Sequence, residues 1–367
     1  MDVPLLDLKG QYAALKDEVM PVVERVLDGQ YLINGPEVGE FECAASGYCD
    51  VPFAVGCSSG TDALILSMMG LGIQPGDEVI TSPFTFFATV GSIHRHGAKP
   101  VFVDIDPETF NFDAEQLEAA VNEKTRAIAP VHLFGQLADM DTVLDVAEKH
   151  DLKVIEDAAQ SIGAKQNGAP AGSLGDCGCF SFFPSKNLGG AGDGGLITCR
   201  DEDLYKRLLM MRNHGAHERY YHDEVGGNFR LDTLQAAYLH IKLKHLDAWH
   251  EGRRQNAGFY DEGLKDVEQV KTPVIAEGNE SIYNQYTLRV EDRDELQKYL
   301  GEAGVGSAIY YPLCMHEQKC FSYLGYTTGD FPEAERAASE VLSIPIYPEL
   351  SEEQLGHVVE TIKSFYA

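Results

Sequence analysis

Residues 181–190, SFFPSKNLGG, place one amine between an apolar, strand-like run and a pair of glycines. Because Phe180 and Phe182 belong to that run, we expect Lys186 to follow a buried strand and to lie in partly apolar surroundings. Desolvation disfavours the ammonium form, and a neutral amine is the nucleophile that forms a Schiff base. A lone lysine in a loop is more often an ordinary surface residue, so the role of Lys186 depends on the rest of the site.

A second aliphatic run, residues 154–160 (VIEDAAQ), predicts a buried parallel strand that ends in acidic residues. Ligands of open α/β sheets bind beyond the carboxyl ends of the strands, where Asp157 falls. A carboxylate there can pair with a pyridinium nitrogen and keep it protonated. An aspartate at a strand end is also a common helix N-cap. Together, Asp157 and Lys186 favour a pocket for pyridoxal phosphate over a helix cap.

Residues 53–64, FAVGCSSGTDAL, offer a place for the phosphate. A short strand gives way to small hydroxyl residues and a helix start, where free backbone N–H groups and the helix dipole converge on an anion. We predict that Ser59, Gly60 and Thr61 bind the phosphate, with Ser181 as a further hydroxyl donor. The alternative is a capped helix that binds nothing. The patterns GxxxxGK[ST] and GxGxxG do not occur, which argues against nucleotide binding through those loops.

The chain resembles the nucleotide-sugar aminotransferases of the DegT type, which are fold-type-I pyridoxal phosphate enzymes. The resemblance implies an α/β fold with a mostly parallel central sheet in a large domain. The motifs that carry it follow one another along nearly the whole chain: Asn34–Pro36, Ser58–Leu64, Gly76–Ile80, Thr85–Thr89, Val103–Pro107, Glu156–Gln160, Ser181–Leu188, Gly226–Arg230 and Tyr311–Leu313.

The resemblance also implies roles for single residues. Lys186 would hold the cofactor covalently, and Asp157 would contact the pyridine nitrogen. Gln160 matches a residue near the ring hydroxyl, and Phe86 matches the aromatic residue that stacks on the ring, although aromatic residues in apolar stretches usually belong to the core. Asn228 matches a residue that contacts the cofactor phosphate of the neighbouring subunit, which predicts a homodimer with shared active sites.

The retained lysine indicates the reaction type, because related sugar dehydratases carry histidine at this position. Lys186 therefore favours transamination. The resemblance implies that an amino acid, glutamate in most relatives, supplies an amine to a keto sugar linked to a nucleoside diphosphate. Lys186 would move a proton as general base and acid. Two alternatives stay open: a cofactor-bearing sensor without turnover, and a sugar dehydratase on the same fold.

The sugar-binding residues are predicted from the segment Ser307–His316, which resembles a family segment near the substrate. Tyr311 and His316 are expected to hydrogen-bond the sugar. Arg230 is expected to pair with a carboxylate or pyrophosphate in the adjoining subunit, with a structural ion pair as the alternative. A carboxylate would indicate a 3-keto uronic acid derivative; otherwise a neutral 3- or 4-keto hexose is expected.

The length of 367 residues exceeds the usual size of a single hydrophobic core. We predict a large cofactor-binding domain over residues 1–247 and a smaller C-terminal α/β domain over residues 248–367. Strand-like runs alternate with helical stretches in the first of these, which predicts a mostly parallel sheet flanked by helices. The N-terminal segment is expected to pack partly on the smaller domain.

Composition limits the partners of the chain. The formal net charge of -29, from 58 acidic and 29 basic residues, argues against binding to nucleic acid or anionic membranes. The lack of a long apolar run and of a secretory pattern predicts a cytoplasmic protein. The cysteines are expected to be reduced core residues, and no metal site is predicted. An anionic substrate therefore requires local positive potential, for which Lys186, Arg230 and helix N-termini are candidates.

Overall fold

Seven short runs with few exposed side chains form one sheet. A computed structural model describes all 367 residues. The strands of this sheet and the small strands elsewhere are β1 (Phe53–Cys57), β2 (Glu78–Thr81), β3 (Lys99–Phe102), β4 (Thr125–Ile128), β5 (Lys153–Asp157), β6 (Lys165–Gln166), β7 (Ala169–Pro170), β8 (Cys177–Ser181), β9 (Gly195–Cys199), β10 (Ala216–Glu218), β11 (Tyr221–His222), β12 (Val270–Lys271), β13 (Asn279–Glu280), β14 (Tyr286–Val290) and β15 (Val341–Ile344).

Helices cover both faces of the sheet, and none of them has the length and apolarity that a bilayer crossing demands. The helices are α1 (Leu8–Gly29), α2 (Pro36–Tyr48), α3 (Gly60–Gly70), α4 (Phe87–His96), α5 (Leu117–Ala120), α6 (Met140–His150), α7 (Glu202–Arg212), α8 (Thr233–Leu243), α9 (Leu246–Leu264), α10 (Arg293–Glu302), α11 (Pro332–Glu340) and α12 (Glu352–Tyr366).

The direction of the strands confirms the predicted, mostly parallel sheet. Strands β3, β2, β4, β5 and β8 pair in parallel, and β9 alone runs against them, between β8 and β1. Successive residues of β5 face opposite sides, since Val154 belongs to one core cluster and Ile155 to another. A sheet buried on both faces accounts for the near-continuous apolar runs in the sequence.

The register of the strands brings three carboxyl ends together. Cys57 of β1 and Ser181 of β8 both pair with Gly195 of β9. Asp157 at the end of β5 pairs with Cys179 of β8. The segments that follow β1, β5 and β8 therefore leave the sheet at one edge, although they are far apart in the sequence.

A second unit is built on the three-stranded sheet β12-β14-β15. Its core includes Val3 from the N-terminus as well as Tyr260 and Tyr286. The predicted boundary between residues 247 and 248 falls inside α9, which contributes Leu246 to the core of the large sheet and Leu264 to the core of the second unit. The division into two domains at this point stays a prediction, because one continuous helix serves both cores.

Candidate active site

A cavity of about 430 Å³ opens at the edge where β1, β5 and β8 end. Its walls come from the segments after these strands, from the start of α4 and from the segment before residue 312. Nine of the twelve residues predicted for the site line it: Ser59, Gly60, Thr61, Phe86, Asp157, Gln160, Ser181, Lys186 and Tyr311. Chain segments more than 250 residues apart thus converge on one site.

The turn between β1 and α3 provides the anion-binding end of the cavity. Ser59 caps α3, with its Oγ accepting from the N–H of Asp62 at 3.1 Å. The N–H groups of Gly60 and Thr61 have no acceptor within the helix, as expected for its first turn. A Cβ atom at Gly60 would lie 2.7 Å from the Cβ of Ser181, so only glycine lets the turn pack this closely on β8. Two free N–H groups at a helix start favour a bound phosphate.

Asp157 presents a buried carboxylate to the cavity. Its Oδ2 accepts a hydrogen bond from Thr89 Oγ1 at 2.7 Å, and its Oδ1 accepts one from the N–H of Ala159 at 3.2 Å. Burial raises the pKa of Asp157 above its ordinary value, while the two hydrogen bonds and the charge of Lys186 oppose that rise. Each oxygen keeps acceptor capacity for a further donor, such as a protonated ring nitrogen.

The neighbouring Glu156 is a structural residue. Its carboxylate accepts from the N–H groups of Gly172, Leu174 and Gly175 at 2.6–2.8 Å and lies 2.9 Å from His132 Nε2. Although burial opposes ionisation, these partners hold the pKa of Glu156 below its ordinary value. Because side chains alternate along a strand, Asp157 faces the cavity, whereas Glu156 faces the other side and holds the loop of residues 172–175.

Lys186 lies in a tight turn after β8, in which its backbone N–H donates a hydrogen bond to the carbonyl of Phe183 at 2.8 Å. The turn requires glycine at position 189, because a Cβ there would lie 2.1 Å from the carbonyl oxygen of Pro184. The half-buried Lys186 lines the cavity. Desolvation lowers the pKa of its amine to about 8, against the opposing charge of Asp157. About a tenth of the amine is therefore neutral at pH 7 and available for attack on an aldehyde, far more than for an ordinary lysine.

The far wall combines an oriented amide with an aromatic ring. Gln160 Oε1 accepts from the N–H of Phe134 at 2.7 Å, and its Nε2 donates to the hydroxyl of Tyr311 at 2.9 Å. Phe86 is 56% exposed and lines the cavity, so its ring is available for stacking and is not part of the core.

Asn228 and Arg230 lie outside the cavity that Lys186 lines. Both line an adjoining pocket of about 300 Å³, and Asp193 belongs to the walls of both spaces. Arg230 Nε is buried without a hydrogen-bond partner, and no carboxylate of the chain forms an ion pair with this guanidinium. Within one chain, these two residues are therefore next to the cofactor cavity and not in it.

His316 does not reach the cavity, in contrast to its predicted role in sugar binding. Its side chain is fully buried, its Nε2 lies 3.0 Å from Glu335 Oε1, and its ring packs on Phe331. A short 3-10 turn over Met315–Glu317 directs the imidazole toward α11. His316 is therefore not placed to bind a sugar in this cavity.

Several cavity residues were missed in the sequence. They are Leu64, Thr85, Ala88, Val131, Ala159, Phe183, Ser185, Asp193, Gln285 and Tyr310. Most of them are neighbours of predicted residues and could have been found by extending each motif. Gln285 lies in a stretch without a motif, so no sequence signal pointed to it.

Comparison with known proteins gives consistent matches over the whole chain. The model of the DegT/DnrJ/EryC1/StrS aminotransferase family matches residues 13–363. A pleiotropic regulatory protein of Geobacillus stearothermophilus is 50% identical over 100% of this chain and 99% of its own length. A UDP-N-acetyl-3-dehydro-alpha-D-glucosamine 3-aminotransferase of Acidithiobacillus ferrooxidans is 44% identical over 98% of this chain and 97% of its own length.

A crystal structure of S. venezuelae DesV in complex with a ketimine intermediate superposes on this fold with a TM-score of 0.97. The two chains are 40% identical, and the match covers 100% of this chain and 98% of the other. The superposition extends the likeness from the motifs to the whole fold.

Proposed function

The chain belongs to the DegT/DnrJ/EryC1/StrS aminotransferase family, whose members are fold-type-I pyridoxal phosphate enzymes, and on this premise we propose that it aminates C3 of a keto sugar linked to a nucleoside diphosphate. The observation that carries the proposal is the convergence of Lys186, Asp157 and the Ser59–Thr61 turn on one cavity. L-Glutamate is the proposed amino donor.

The residues present fit pyridoxal phosphate. The first turn of α3 would hold the phosphate, Asp157 the ring nitrogen, Phe86 one face of the ring, and Lys186 the aldehyde carbon. When bound, the cofactor supplies an electron-poor ring that stabilises negative charge on the adjoining carbon of a substrate. Lys186 would transfer the proton at that carbon, because its amine is the one basic group of suitable pKa in the cavity wall.

We propose a homodimer in which each subunit completes the site of the other. The support is that Asn228 and Arg230 point into a pocket beside the cavity, where a partner could share them. Large apolar side chains are also exposed nearby and on the hairpin β10–β11, namely Ile33, Phe86, Phe183, Tyr220 and Tyr221. Exposed apolar surface of this kind is typical of a protein interface.

The proposed preference for C3 rests on the name of the Acidithiobacillus relative, a 3-aminotransferase of a 3-dehydro sugar. The ligand of Arg230 would show whether the enzyme prefers a sugar that carries a carboxylate. A guanidinium with an unpartnered, buried Nε can take a carboxylate or a pyrophosphate as its ligand. This cation also offsets, locally, the large negative charge of the chain.

The name of the Geobacillus relative supports a second candidate, a cofactor-bearing regulator without turnover. A cofactor-bearing regulator would hold pyridoxal phosphate through the same Lys186 and Asp157, so this pair does not separate the two candidates. Relatives named as sugar aminotransferases, at 40–44% identity over nearly the whole chain, favour the enzyme.

The response of the bound cofactor to L-glutamate separates the candidates. Protein loaded with pyridoxal phosphate is mixed with L-glutamate, and the visible spectrum and the formation of 2-oxoglutarate are followed. The aminotransferase consumes one glutamate per site and the visible band moves to that of pyridoxamine phosphate. A regulator leaves glutamate unchanged. A dehydratase converts its sugar without net transfer of the amine.

A further inference from the structure

We propose that Thr89, supported by Thr85, is a positioning residue that holds the carboxylate of Asp157 toward the pyridine nitrogen of the cofactor. This inference rests on the proposed cofactor site. Thr89 acts through Asp157 and does not itself line the cavity.

Three buried side chains form a hydrogen-bonded chain that ends at the cavity. Thr89 Oγ1 lies 2.7 Å from Asp157 Oδ2, and Thr85 Oγ1 lies 2.9 Å from Thr89 Oγ1. Thr85 and Thr89 are each 1% exposed and Asp157 is 5% exposed. Bulk water therefore cannot readily replace either hydroxyl.

Each threonine hydroxyl has one hydrogen to donate, and this fixes which group donates and which accepts in the hydrogen-bonded series Thr85, Thr89 and Asp157. When Asp157 is ionised, its carboxylate only accepts, so the single hydroxyl hydrogen of Thr89 is donated to it. Thr89 can then only accept from Thr85. A donor that itself accepts a hydrogen bond is polarised, which strengthens its bond to the carboxylate. The arrangement thus favours an ionised Asp157, the form required opposite a protonated ring nitrogen.

The second oxygen of the carboxylate is fixed independently by the N–H of Ala159. With one donor on each oxygen, the plane of the carboxylate is defined. Removal of Thr89 would leave a single, longer hydrogen bond at 3.2 Å, about which the side chain can reorient.

The position of Thr89 on α4 links it to two other predicted cofactor contacts. Phe86 is the N-cap of α4, and Thr89 is the third residue of that helix. Ser92, one turn further, donates from its hydroxyl to the carbonyl of Thr61 at 3.3 Å. The short helix α4 therefore positions Phe86 for stacking on the ring, orients Asp157 through Thr89, and contacts the phosphate-binding turn at Thr61.

The test uses the holoenzyme, with Thr89→Val and Thr89→Ser as the variants. Thr81→Val is the matched control, because Thr81 is equally buried but donates to the carbonyl of Ala129 at 2.9 Å, outside the cavity. Pyridoxal phosphate labelled with nitrogen-15 in the ring is bound, and the ring nitrogen resonance is recorded together with the cofactor dissociation constant and Tm.

Thr89→Val is expected to move the resonance toward that of the unprotonated ring and to weaken cofactor binding about tenfold, the effect of one lost hydrogen bond to a charged group. Thr89→Ser should retain the wild-type resonance. Thr81→Val should lower Tm but leave the ring nitrogen resonance unchanged. An unchanged resonance in Thr89→Val, or the same shift in Thr81→Val, would overturn the proposal.

Two further outcomes are decisive. If Thr89→Val does not fold, Thr85→Val is measured instead. A smaller shift of the resonance in the same direction is expected. No shift would refute the proposed support of Asp157 by the two threonines. If the wild-type protein binds no cofactor or binds it with an unprotonated ring, the proposed function fails at the cofactor site, and the role of Thr89 fails with it.

Discussion

Gln160 donates from Nε2 to the hydroxyl of Tyr311 at 2.9 Å, and so joins the loop after β5 to a segment that returns from the second unit. The other end of the amide is fixed by the N–H of Phe134. One side chain thus sets the separation of two cavity walls.

Tyr311→Phe removes the acceptor of this contact and leaves a buried N–H of Gln160 without its partner. We expect affinity for the cofactor or the sugar to fall about tenfold, because an unsatisfied buried donor costs about 1–3 kcal/mol. Fluorescence titration of the apoprotein with pyridoxal phosphate and steady-state KM values measure this loss. Tyr310→Phe is the neighbouring control. Equal affinities in all three proteins would show that the contact has no functional role.

The pKa of Lys186 predicts how cofactor attachment depends on pH. Since the neutral amine is the nucleophile, attachment should accelerate as pH rises and level off above about 8. Stopped-flow absorbance of the apoprotein mixed with pyridoxal phosphate reports this profile.

Asp157→Asn should shift the same pH profile to lower pH. The charge of Asp157 raises the pKa of Lys186 against desolvation, so its removal should move the midpoint below that of the wild type. A midpoint near the ordinary lysine value of 10.5 in either protein would contradict a desolvated amine.

Arg230 discriminates between charged and neutral sugars if it binds a carboxylate. Arg230→Ala should then raise KM for a nucleotide-linked 3-keto uronate about tenfold or more, and affect a neutral 3-keto sugar much less. Arg230→Lys retains the charge but loses the two-pronged geometry and should fall between. Similar losses for both sugars would assign Arg230 to the pyrophosphate instead.

Shared active sites can be tested by mixing two inactive proteins. Lys186→Ala and Asn228→Asp each disable a site, the second by placing a negative charge opposite the phosphate. If Asn228 serves the partner subunit, a mixed dimer has one site with both defects and one intact site. Refolding equal amounts together should restore about a quarter of wild-type activity. A mixture as inactive as its components would show that both residues serve the same chain's site.

Much of this site could be predicted, because its chemistry lies on strand ends that apolar runs mark in the sequence. Apolar runs predict that Asp157 and Lys186 each follow a buried strand, and the parallel pairing of β5 and β8 explains why the two residues line one cavity. The direction of a side chain after an irregular turn is not encoded in any local pattern, and for that reason His316 was misassigned.

The role of Thr89 could not be predicted for a different reason. Thr89 lies in the motif Thr85–Thr89, yet a threonine early in a helix is commonly a cap or a core residue. Only the tertiary contact between α4 and the end of β5 shows that its hydroxyl faces Asp157. The placement of Asn228 and Arg230 beside the cavity likewise depends on packing that no single segment specifies.

Transfer of nitrogen from glutamate to a nucleotide sugar tests the central claim most directly. The holoenzyme is incubated with nitrogen-15-labelled L-glutamate and a panel of UDP- and dTDP-linked 3-keto and 4-keto sugars, and products are analysed by mass spectrometry and NMR. The control is Lys298→Arg, at a lysine whose side chain is 80% exposed. We predict a labelled amine at C3 of one of these sugars, formed by the wild type and by Lys298→Arg and lost by at least about a hundredfold in Lys186→Arg. Labelled product from Lys186→Arg at the wild-type rate, or no labelled sugar from any member of the panel, would contradict the account.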